Sequence, residues 1–135
     1  DYAFLWAYKL AKIVGAKLHV FHALDVNFGS AGQVKVQPEI ERLIEKARKR
    51  IKSRLLTKLK GFDNYGVEVW EGIPYIEILK YSRQVNGDLI VMAHHTREID
   101  PEEALLGSTV EQVVLRASCP VASVNHPDKV ADLMD

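Results

Sequence analysis

Hydrophobic positions along the chain alternate between two rhythms. Ala3, Ala7, Leu10, Ala11 and Val14 recur at steps of three and four, which predicts a helix, and Gly15 is placed to stop it. Residues 17–24 (KLHVFHAL) take on strand character, with Leu18, Val20 and Phe21 apolar. Residues 25–37 read as a loop. Pro38 opens the longest predicted helix, which runs to Lys60 on the stripe Ile40, Leu43, Ile44, Ala47, Ile51, Leu55 and Leu59 before Gly61 ends it. Val67, Val69 and Trp70 predict a short strand closed by Gly72. Pro74 starts a third helix through Ile76, Leu79 and Val85, with Asn86-Gly87 as its stop. Residues 89–92 are wholly apolar, as a strand covered on both faces requires. A helix over 108–117 and a strand over 120–125 follow.

Helix alternating with strand predicts an α/β fold, a doubly wound parallel sheet with helices on both faces. The pattern is unusual in beginning with a helix, and it shows four strands where such sheets commonly have five. At 135 residues the chain is long enough to bury one core, so residues 1–126 are expected as one domain and 127–135 as a frayed tail. No apolar run reaches the roughly 20 residues of a membrane span, and no signal peptide is read at the start. The first residue is Asp1, not Met. Cys119 is the single cysteine, which forbids an internal disulfide and fits a reducing, cytoplasmic setting. A formal net charge of zero exerts no global pull on nucleic acid or anionic lipid.

The chain resembles the universal stress protein family over nearly its whole length. The resemblance is carried by Ala3, Ala7, Leu10-Ala11 and Gly15-Ala16-Lys17-Leu18, then by His22-Ala23, Gly72-Ile73-Pro74 and the run from Gly87 to Met92. Its strongest carriers are Leu105-Leu106-Gly107-Ser108-Thr109-Val110-Glu111 and Cys119-Pro120-Val121. The resemblance implies a five-stranded parallel sheet in the order 3-2-1-4-5, dimerisation and, in one branch, ATP or another adenine nucleotide held in a cleft. The family's first strand, central in that order and ending in an adenine-contacting aspartate, has no match here. Asp1 falls beyond it and does not inherit the role. Unpaired backbone groups inside a buried sheet would cost about 1–3 kcal/mol each. The resemblance therefore implies that this strand lies upstream of Asp1 or comes from another chain.

The family's nucleotide-binding branch carries G-x2-G-x9-G-[ST]. Its early glycines let ribose and phosphate approach the backbone, and its final pair offers helix-start N–H groups and a hydroxyl to phosphate. The matching positions here are Ala93, Thr96 and Gly107-Ser108, with one residue more before the last glycine than the pattern has. Both early glycines are replaced. The nucleotide contacts implied are Ala23 and Met92 near the base, Ala93 and Thr96 near ribose, and Gly107, Ser108, Thr109 and Val110 near phosphate. Arg97 is the one cation of the loop and would also reach phosphate. Asp100, Glu102 and Glu103 would repel a polyphosphate unless Mg²⁺ bridged them. A second reading stands beside this one: Ser108 and Glu111 have the spacing of a capping box, kept for helix stability alone.

Other chemistry is sparse. His94-His95 at a strand end, and His19 with His22 on a strand, point to opposite sides, so no metal site is expected. Residues 39–60 carry nine basic and three acidic side chains, a local charge of +6, without aromatics for base stacking. That pattern reads as a solvated helix face, and nucleic acid is not expected as a partner. No catalytic residues are assigned: no Ser-His-Asp elbow and no Gly-Lys-[ST] loop is present, and Cys119 has no obvious activating base. The last strand lies at the sheet edge in the family order, which implies a homodimer through it with Val121, Ser123 and Val124 near the axis. The leading reading is a dimeric stress-response or regulatory binding domain with a degenerate nucleotide site and a regulatory protein as a further partner. The alternatives are a slow ATP hydrolase or adenylate-sensing switch, and an interaction module that binds no nucleotide.

Overall fold

The structure, a computed structural model, describes residues 2–25, 36–93 and 109–124. Among them the chain runs α1 (Tyr2–Val14), β1 (Leu18–Leu24), α2 (Gln37–Leu56), β2 (Tyr65–Glu71), α3 (Pro74–Gln84), β3 (Ile90–Ala93), α4 (Thr109–Arg116) and β4 (Val121–Val124). Every element expected from the periodicity is present, with shifted ends.

The helix stops show why. After α1, Gly15 takes φ of 71° and the Ala16 N–H donates to the Ala11 carbonyl at 3.0 Å. That is a left-handed C-terminal cap, which satisfies a carbonyl the helix leaves open. After α3 the left-handed residue is Asn86, at φ 53°, and the Gly87 N–H donates to Ser82 O at 2.8 Å. The stop expected from Asn86-Gly87 is therefore made by the asparagine. Helix α2 ends at Leu56, short of Lys60, where the Thr57 hydroxyl donates to Arg54 O at 2.8 Å. The turn that follows still carries Leu59 into the core.

All strand pairing is parallel. The β1–β2 ladder runs in register from Leu18 opposite Tyr65 to Leu24 opposite Glu71. The β3–β4 ladder runs from Ile90 opposite Val121 to Ala93 opposite Val124. These are two separate two-stranded sheets, and the family's first strand has no counterpart among the described residues. Parallel strands joined by helices make this the doubly wound α/β class.

The chain divides into two compact units, residues 17–78 and residues 1–16 with 79–135. In the first, α2 packs on β2 over Leu18, Leu55, Leu59, Val67 and Val69. Phe21 and Trp70 meet edge to face at 5.4 Å. In the second, α1 packs on β3 and β4, and α4 on β4. Its core holds Tyr8, Ala11, Leu79, Tyr81, Val113 and Val124, with Val113 at 0% exposure.

Candidate functional site

The β3–α4–β4 segment builds the candidate site. Met92 and Ala93 are the last residues of β3, half-buried, opposite Ser123 and Val124. Since β3 and β4 are parallel and α4 lies on the connection between them, α4 runs back against the strand direction. Its first turn therefore lies toward the carboxyl end of this ladder, where parallel α/β sheets hold ligands. Thr109 and Val110 open that turn and are half-buried. The first N–H groups of a helix have no partner inside it and carry a partial positive charge, which suits an anion. Glu111 in the same turn also answers that charge. At the other end, Arg116 donates to the backbone carbonyl of Gln112 at 3.5 Å and to its side-chain oxygen, which counters the negative helix end.

Thr96, Arg97, Gly107 and Ser108 lie outside the described residues, as do His94, His95, Asp100, Glu102 and Glu103. The structure thus brings Met92, Ala93, Thr109 and Val110 into one segment. Ala23 belongs to the other unit, half-buried near the end of β1 opposite Trp70.

On β1, desolvation pulls the imidazole of His19 below its ordinary value, and Lys17 adds to the effect. His22 is lowered by desolvation alone, although its residue surface is largely open. His19 is the half-buried one of the two. Among the described residues no three His, Cys, Asp or Glu side chains gather as a metal site. Cys119 is half-buried, with its Sγ 3.9 Å from the Ser82 hydroxyl, a proximity without a sequence signal. At the end of β2, Gly72 takes φ of 148° and its N–H donates to Leu24 O at 3.0 Å.

Strand β4 uses one edge to pair with β3, and no strand pairs with its other edge among the described residues. Val121 is half-buried, Ser123 exposed, and Val124 sits in the core of its own unit. No helix among the described residues is long and apolar enough to cross a membrane.

The family model described as the universal stress protein family matches residues 1–125. Universal stress protein MJ0531 of Methanocaldococcus jannaschii is 32% identical over 130 residues, covering 91% of this chain and 73% of that protein. The solved structure of UspA from Lactobacillus plantarum superimposes with a TM-score of 0.63 at 24% identity, over 90% of this chain and 86% of that one. A universal stress protein solved in complex with cAMP superimposes with a TM-score of 0.58 at 20% identity, over 91% of this chain and 84% of that one.

Proposed function

The chain belongs to the universal stress protein family, and we propose that it acts as a dimeric, cytoplasmic regulatory domain that holds an adenine nucleotide at the β3–α4 junction. The observation that carries this reading is the start of α4 on the carboxyl side of the β3–β4 ladder, with Thr109 and Val110 in its first turn. That arrangement offers backbone N–H groups to a phosphate, while Met92 and Ala93 provide an apolar strand end beside it. A protein of this fold solved with cAMP supports the choice of an adenine ligand. Thr96, Arg97, Gly107 and Ser108 complete the contacts in this proposal. ATP with Mg²⁺ is the fullest ligand the site would take, the metal offsetting Asp100, Glu102 and Glu103.

Calorimetry with ATP and Mg²⁺, AMP and cAMP tests the reading, together with mass spectrometry of nucleotide released from denatured protein. Heat of binding with at least one of the three is the expected result. No heat at millimolar nucleotide and no released nucleotide would overturn it.

The homodimer in this proposal forms through the open edge of β4, with Val121, Ser123 and Val124 near the axis. Pairing that edge with a second copy satisfies its backbone groups and closes a symmetric assembly. Light scattering is expected to give the mass of two chains; a stable monomer would remove the claim.

A further inference from the structure

We propose that the outer ridge of α2, formed by Arg42, Lys46, Arg50 and Arg54, docks an extended acidic segment of a partner protein. Four cations at successive i, i+4 positions climb the helix in steps of about 6 Å. Alternate residues of an extended chain share one face and lie about 6.6–6.8 Å apart. Carboxylates at every second position of a partner strand therefore meet successive cations of the ridge, and the three arginines can each grip a carboxylate with two N–H groups.

The rest of the helix presents this ridge outward. Ile40, Leu43, Ile44, Ala47 and Ile51 are half-buried and Leu55 is buried, on the side where α2 packs against β2. Arg48 is committed there, 3.7 Å from Glu68 on β2 and 3.3 Å from Glu45. The four ridge residues are all exposed, and none pairs with a carboxylate among the described residues.

The surroundings select the partner. From residue 41 to residue 54 every exposed side chain is polar or charged. A membrane-seeking helix needs an apolar face, and single-stranded nucleic acid needs aromatic platforms; this surface has neither. Glu41 and Glu45 stand beside the N-terminal half of the ridge. A phosphodiester chain, charged at every residue, would meet those two carboxylates there. A peptide with neutral residues between its acids would not.

Fluorescence anisotropy on the intact chain tests the proposal with a labelled peptide carrying acids at four alternate positions. Its controls are a peptide of the same composition with the acids contiguous, a single-stranded oligonucleotide of equal charge, and vesicles containing phosphatidylserine. The alternating peptide is expected to bind most tightly at physiological salt. Arg50→Glu with Arg54→Glu is expected to weaken it about tenfold, with circular dichroism unchanged. Equal binding of the two peptides, tighter binding of oligonucleotide or vesicle, or no peptide binding at all would overturn the proposal.

Discussion

Gly72 lies beneath the side chain of Glu77: a Cβ added to this glycine would stand 2.6 Å from Glu77 Cγ. Gly72 also takes φ of 148°, where L side chains are strained. The two penalties separate, because the Glu77 side chain can swing away while the backbone angle cannot change without moving the start of α3. Gly72→Ala is therefore expected to destabilise the protein by about 1–3 kcal/mol. Adding Glu77→Ala should recover only a small part of that loss. Urea unfolding of both variants checks this; full recovery in the double variant would show that crowding, not the angle, was the cost.

Helix α4 offers a matched pair of substitutions. Val113 is wholly buried and Leu115 is 76% exposed. Val113→Ala is expected to cost about 2 kcal/mol through lost packing and the cavity left behind. Leu115→Ala should stay within about 0.5 kcal/mol of the parent. Thermal and denaturant unfolding read both, and equal losses would contradict the packing of α4 described above.

Thr109→Asp separates stability from binding. A carboxylate in the first turn of α4 opposes the partial positive charge there, so the folded protein should gain about 0.3–1 kcal/mol. The same charge repels a phosphate, so adenine-nucleotide affinity should drop about tenfold, equivalent to ~1.4 kcal/mol. Calorimetry and melting curves measured on one preparation check the two directions. Unchanged nucleotide affinity would move the phosphate away from this turn.

Stability is expected to fall on mild acidification. Desolvation and Lys17 lower the folded-state pKa of His19 from its ordinary 6.5. The unfolded chain therefore takes up this proton first as the pH drops. The contribution of neutral His19 is complete above the unfolded value and is lost as pH falls through the lowered folded value. His22 acts in the same direction, through desolvation. Urea midpoints followed downward from neutral pH should decline in the parent and decline less in His19→Gln. An identical slope in the variant would remove His19 as a source.

Much of the fold is legible in the sequence. The stripe from Ile40 to Leu59, the glycine after Val14 and the wholly apolar residues 89–92 each report a local requirement, so helix and strand types followed from spacing alone. Ends were less legible. Helix α2 stops at Leu56 because Thr57 offers its hydroxyl to Arg54 O, a choice that apolar spacing does not record. Asn86, not Gly87, turned out to be the left-handed residue, and either type is allowed there. For the candidate site, Thr109 and Val110 were identified through the family motif, while their place at the open start of α4 follows from the parallel pairing of β3 with β4.

The order of elements, their kind and the family are written in local sequence, because each depends on neighbours a few residues apart or on short motifs. So is the charge row of α2, since four-residue spacing on a helix is a local property. Long-range packing sets which strands pair and in what register, that Val113 is buried while Leu115 is open, and that Glu77 folds over Gly72. Those outcomes depend on which surfaces meet across the chain. A residue's type states what it can contribute to such a meeting, and packing selects the contact that forms.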